Sequence, residues 1–198
     1  MKTWGLPPFR KHKVKVFENA AKTGQFIYQI GESKDLRKPS KEIPVNKITS
    51  KAYQGKFKFI KNCLRKYRKL TGMGRGITGV QVGIPERFSV VYTPEKLIII
   101  INPKITKVSY ENLKYPEICM SANPIIVPTI RPSWIEFEYF DENGKMQYWD
   151  NKDKILNRVF LHEIDHMNGI INVDIGNPKE FILESDPSFY KQAKFKKV

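Results

Sequence analysis

The chain of 198 residues has two cysteines, Cys63 and Cys119, too few for a disulfide framework, and no disulfide is expected. Histidine is scarcer than in most chains of this length, at three residues. No apolar run approaches the ~18–20 residues that a membrane span requires; the longest is Leu97 to Ile101. Met1 to Pro8 hold no apolar stretch of the secretory kind. Internal repeats and low-complexity linkers are missing too. These absences leave a soluble protein of a reducing compartment. Cytoplasm is the expected location, with an organelle matrix as the second option. At roughly 100–200 residues per domain the length fits a single folded unit.

Acidic residues are also missing from one half. Residues 1–75 carry 20 Lys and Arg against Glu18, Glu32, Asp35 and Glu42, while the remainder carries 15 bases and 16 acids. The net charge of +15 therefore arises upstream of Gly76. Between Lys51 and Arg75 there are nine bases and no acid. A block of one sign acts on polyanions or solvates a face. The division expected is a basic arm over 1–24, one domain over 25–186 and a basic tail over 187–198, the tail bearing Lys191, Lys194, Lys196 and Lys197.

Periodicity places the main elements. Gln25 to Ile30 reads as a short strand and Gly31 to Pro44 as a loop. Tyr53, Phe57, Ile60, Cys63, Leu64, Tyr67 and Leu70 recur at steps of three and four and predict a helix over 53–70, ended by Gly72, Gly74 and Gly76. Strands are expected at Arg87–Tyr92 and Lys96–Asn102. Trp134–Phe140 alternates apolar and acidic residues, and the turn Asp141-Glu-Asn-Gly144 leads into Lys145–Trp149, predicting a hairpin. A second helix is expected from about Lys152 to Asn168, and a last strand over Ile170–Val173.

That second helix carries His162-Glu163-Ile164-Asp165-His166. At about 100° per residue, histidines at i and i+4 stand one above the other and can share one metal ion, with Glu163 placed to handle the proton of a water there. Two of the three histidines fall in this pattern. A catalytic site of this kind needs a third protein ligand. In the long form of zinc proteases it is a histidine six residues after the second, but Asn172 occupies that position. The candidates are Cys119, Glu117 and Asp174. A thiolate suits Fe²⁺ or Zn²⁺ and leaves a fourth position open. Cys63 falls on the apolar face of the first helix and reads as core. His12 lies in the basic arm, apart from this chemistry. The glycine-rich stretch 72–79 lacks the Gly-Lys-Ser/Thr ending of a phosphate loop.

Three motifs in order, Gly74-Arg-Gly-Ile-Thr-Gly-Val-Gln-Val-Gly83, Glu117-Ile-Cys-Met-Ser121 and Leu161-His-Glu-Ile-Asp-His-Met-Asn-Gly169, resemble those of the peptide deformylases. The resemblance runs from about Ile27 to Asp174. It implies an α+β fold, with antiparallel β-sheets around a central metal-binding helix, and makes 25–186 a single catalytic domain. Cys119, His162 and His166 would hold one Fe²⁺ or Zn²⁺, and Glu163 would be the general base and acid. The Gln81 amide and the Met120 backbone N–H would form an oxyanion hole. Gly76 would lie along an extended peptide, while Ile155 and Val159, one and two turns before His162, would line a pocket for methionine. Arg131 aligns with a family arginine and is expected to buttress Asp165.

The activity implied is removal of the N-formyl group from formyl-methionyl nascent polypeptides, with release of formate. The basic half and tail suggest association with the ribosome. The alternatives are a His-Glu-x-x-His metallopeptidase and a non-catalytic RNA-associated protein on the same scaffold. The sequence departs from the family pattern at Arg75, Thr78-Gly79, Ile118 and Leu161; none of these removes a ligand or the base.

Overall fold

The structure is a computed structural model that describes residues 18, 20–183 and 193–198. Most of the basic arm and residues 187–192 of the tail lie outside the described residues.

Helix α1 spans Lys51–Thr71. Ser50 caps its start by accepting from the Tyr53 N–H, and Gly72 ends it with φ 72°, a left-handed geometry that favours glycine. The helix buries Phe57, Ile60, Leu64 and Tyr67, the stripe expected, and extends two residues earlier than predicted. Lys56 and Lys61 pair with Glu86 and Glu142. Lys51, Lys58, Arg65 and Lys69 line the opposite, exposed face.

Among the described residues nine strands follow: β1 Gly76–Thr78, β2 Phe88–Tyr92, β3 Leu97–Val108, β4 Asn112–Ile118, β5 Ile125–Pro132, β6 Ile135–Phe140, β7 Met146–Trp149, β8 Ile182–Leu183 and β9 Lys196–Lys197. They form two antiparallel sheets, of order β1-β2-β3-β6-β7 and β8-β5-β4-β9. Helix α2 spans Lys154–Met167 and the short α3 spans Asn172–Ile175.

The near-continuous Ile run of β3 has a physical reason. Val90, Ile99 and Ile101 face α1, in one core with Phe57, Ile60 and Leu64. Val91 and Ile100 face α2, in a second core with Leu156, Phe160 and Ile164. Strands covered on both faces cannot alternate apolar and polar. Leu161 is buried in the second core, which accounts for an apolar residue just before His162. The hairpin β6–β7 forms as expected, with Gly144 at φ 75° in its turn.

Three expectations are corrected. Gln25–Ile30 is not a strand. Its N–H groups go to separate acceptors: Phe26 and Ile27 to Thr23, Tyr28 to the Gln81 carbonyl and Ile30 to the Ser121 carbonyl. Buried Ile27 anchors it, so this segment staples the glycine-rich loop to the cysteine motif. Ile170–Val173 is likewise no strand: the Asp174 carboxylate accepts from the Ile171 N–H and starts α3. Strand β3 runs six residues past Asn102, through an irregularity between Ile101 and Lys104 where Asn102 adopts φ 49° and holds the Ile43 backbone with its side chain. Among the described residues no helix is long and apolar enough to cross a membrane, and Cys63 and Cys119 are free thiols.

Candidate active site

Asp153 caps α2 by accepting from the Leu156 N–H at 2.8 Å, and His162 and His166 follow one turn apart, their ring centroids 4.9 Å from each other. The end of β4 brings Cys119 to them, fully buried, with Sγ 3.1 Å from His166 Nε2. Ligand atoms of Cys119, His162 and His166 all lie within 4.8 Å of one another. Of the three candidates for a third donor, the structure therefore brings Cys119 to the histidines. Asp174 instead pairs with Arg37.

Glu117 stands behind the ligands. Its Oε2 lies 3.1 Å from His162 Nδ1. A carboxylate can only accept, so Nδ1 carries the proton and Nε2 is left for a metal, an arrangement that fixes ring orientation and tautomer. The same carboxylate accepts from Arg131 Nε at 2.7 Å and Nη2 at 3.1 Å, and from Arg158 Nη1 at 2.6 Å. Burial works against its charge, but Arg131 and His162 prevail and hold its pKa well below the ordinary carboxylate range. Arg131 also donates to Asp165 at 2.6 Å, as expected, tying β5 to α2.

The donor set fits a soft divalent cation. Burial, with His162 and Arg131 nearby, keeps His166 neutral, its pKa well below the usual value, and its Nδ1 is a buried nitrogen without a partner among the described residues. The Ser121 N–H and Gln81 Nε2 point donors at the Cys119 sulfur, at 3.4 and 3.8 Å. One cysteine sulfur and two imidazole nitrogens make a donor set of the Zn²⁺ and Fe²⁺ type.

Glu163, the next residue along α2 after His162, is 3% exposed. Thr78 Oγ1 donates to its Oε2 at 2.6 Å. Burial lifts its pKa to about 7, against the opposing pull of His162 and Thr78. Gly76 is required by this carboxylate: a Cβ there would lie 2.7 Å from Glu163 Cδ. Gln81 is buried, its Oε1 accepting from the Thr78 N–H at 2.8 Å, so that Nε2 faces Ser121 Oγ and the cysteine sulfur. Met120 follows Cys119 directly, with its side chain buried.

These groups open into a cleft of about 480 Å³. Gly76, Ile118, Met120, Ile155 and Val159 line it, as do Tyr115 and Arg158. Phe195, just before β9, stacks on Tyr115 with ring centroids 4.5 Å apart. Part of the expected tail is thus packed against a residue of the cleft wall rather than projecting from the domain.

Sequence reasoning missed Thr78, Arg158 and the role of Glu117. Signals existed for two of them. Thr78 is a departure from the family pattern, and Arg158 is a cation four residues before His162 on the same helix face. The ion pairs of Glu117, which reach across strands, leave no local pattern.

Two antiparallel sheets with few helices, and a His-Glu-x-x-His segment that meets a buried cysteine, define a class, the metal-dependent hydrolases. A family model for polypeptide deformylase matches residues 25–181, and the chain belongs to that family. Its relatives include the peptide deformylase of Synechococcus sp. (strain RCC307), 32% identical over 153 residues, covering 75% of this chain and 71% of that protein. That of Treponema pallidum (strain Nichols) is 39% identical over 109 residues, 54% of this chain and 67% of that one. Among solved structures, a probable peptide deformylase from Synechococcus phage S-SSM7 is 30% identical at a TM-score of 0.66, covering 75% of this chain and 97% of that one. A peptide deformylase from Synechococcus elongatus in complex with actinonin is 28% identical at a TM-score of 0.66, covering 78% and 80%. The fold is thus deformylase-like, with antiparallel sheets and few helices.

Proposed function

We propose that this chain removes the N-formyl group from the formyl-methionine of newly made polypeptides and releases formate. The observation that carries the reading is the meeting of Cys119, His162 and His166 beside a buried Glu163 and Gln81. In it, α2 is the metal-binding helix at the centre of a catalytic domain over 25–186, and the three residues hold one Fe²⁺ or Zn²⁺. A bound divalent ion supplies a Lewis acid that makes water a nucleophile near neutral pH. Glu163, dry and with its pKa near neutrality, accepts the proton of that water and delivers it to the leaving amine. As the formyl carbon becomes tetrahedral, Gln81 Nε2 and the Met120 N–H donate to its oxygen. Ile155 and Val159 offer apolar wall to the methionine side chain, and Gly76 lets the peptide backbone pass close to Glu163.

The peptidase alternative is disfavoured because Asn172, where a third histidine would stand, turns its amide to the Glu117 carbonyl at 3.3 Å. Formate release from formyl-Met-Ala-Ala by protein carrying one metal ion per chain tests the reading. Formate without cleavage of the Met-Ala bond is expected. Peptide-bond cleavage, or metal and RNA binding with no formate, would overturn it.

The cytoplasm is the proposed compartment, an organelle matrix the second option, and the ribosome the proposed partner, met by the exposed lysines and arginines of α1 and by the basic tail. The physics is counterion release from RNA phosphate, so co-sedimentation with ribosomes is expected to weaken steeply as salt is raised. Co-sedimentation insensitive to salt, or to Lys58→Glu with Arg65→Glu, would count against this contact.

A further inference from the structure

The cleft is unusually cationic for a pocket meant to receive an uncharged end group. Arg68, Arg75 and Arg158 line it, with Glu117 and Glu163 as its acids. Both acids are buried and engaged, Glu117 by two arginines and a histidine, Glu163 by Thr78. Two of the arginines are engaged as well. Arg158 donates to Glu117, Thr129 and the Leu113 carbonyl. Arg68 donates to the Gly74 carbonyl at 2.8 Å and lies over the Tyr92 ring.

Arg75 differs. It is exposed, and its guanidinium makes no hydrogen bond or ion pair among the described residues. It sits between Gly74 and Gly76, and Gly76 abuts the Glu163 carboxylate. Its charge reaches the cleft interior: burial raises the pKa of Tyr115, and Arg158 and Arg75 both pull it back down. A free guanidinium one residue from the glycine that abuts Glu163, on the rim of a cleft whose acids are already satisfied, is a recognition element for an anion.

We propose that Arg75, with Arg68 behind it, makes this active site selective for formylated chains bearing acidic side chains directly after the formylated residue. The inference rests on the deformylase reading. Guanidinium and carboxylate match as a two-pronged pair, and an exposed pair gains less than a buried one. The surplus positive potential adds attraction before contact and is screened by salt. Together they predict a preference of about three- to tenfold in kcat/KM at low salt, carried by KM.

The test uses full-length, metal-loaded protein and three C-terminally amidated peptides, formyl-Met-Asp-Asp, formyl-Met-Ala-Ala and formyl-Met-Lys-Lys, at low and raised salt. The expected order is Asp over Ala over Lys, narrowing as salt rises. Arg75→Gln is expected to flatten the order and Arg75→Glu to reverse it, while Arg75→Lys keeps the order. Equal kcat/KM for all three peptides, or an order unmoved in Arg75→Glu, would overturn the proposal while leaving the deformylase reading intact. No formate from any of the three would overturn both.

Discussion

Glu163→Gln is expected to lower kcat/KM for formyl-Met-Ala-Ala by about a thousandfold, with metal content and melting temperature near those of the parent chain. The substitution preserves volume, so the Gly76 backbone is not displaced. The Thr78 hydroxyl can still donate, now to the amide oxygen. What is lost is the ability to take a proton from water and return it to the amine, a contribution of about 10²–10⁴ for a positioned acid–base group. Retained metal with lost rate separates a chemical role from a structural one; activity within tenfold of the parent would remove Glu163 from the mechanism. Thr78→Val gives a graded version. Burial raises the Glu163 pKa and the Thr78 hydrogen bond opposes that rise, so deleting the hydroxyl pushes the pKa higher. A base must be ionised to act, so the rising limb of the pH–rate profile moves to higher pH. The loss at neutral pH is about 10-fold, in keeping with one hydrogen bond to a charged group.

Much of this site is legible in one dimension because its parts repeat a local geometry. His162 and His166 are a helix turn apart, and a turn can be read from spacing alone. The amphipathic stripe of α1 and the alternation of β6 are visible for the same reason. What was hidden required contacts between distant segments. Strands β4 and β5 could not be bounded from pattern because Pro116 and Pro128, which argue against a strand, face each other across the ladder where neither needs to donate. Gln25–Ile30 looks like a strand because it has the right residues, yet its N–H groups go to three separate backbone acceptors, the carbonyls of Thr23, Gln81 and Ser121. Gly76 was read as room for substrate, whereas the immediate demand on it comes from Glu163, 87 positions away. Spacing left Glu117 open as a metal ligand; in three dimensions it is the anion that keeps two arginines and His162 in place.

Glu117→Gln is therefore expected to destabilise the protein by about 3–5 kcal/mol, a fall of about 6–20 °C in Tm for a domain of this size, and to weaken metal binding about 10- to 100-fold. The ordinary worth of an ion pair does not set this magnitude. With the carboxylate gone, Arg131 and Arg158, each 5% exposed, are left as buried cations, and only Arg131 retains a carboxylate, that of Asp165. His162 loses the acceptor that fixes its tautomer. The pH dependence has a definite sign. Because the folded pKa of Glu117 is depressed, its stabilisation is full above the ordinary carboxylate pKa and disappears as pH falls through the folded value. The gap in Tm between parent and variant should accordingly be constant from about pH 6 to 8 and close in acid. A gap that persists in acid, or none at neutral pH, would contradict the account. The sharper check is a second substitution: Arg158→Met in the Glu117→Gln background removes one stranded cation and should recover part of the lost stability. The same Arg158→Met change in the parent chain should instead cost stability, since it strips a partner from a buried carboxylate. Opposite signs for one substitution in two backgrounds follow from charge balance and not from packing, which would cost the same in both.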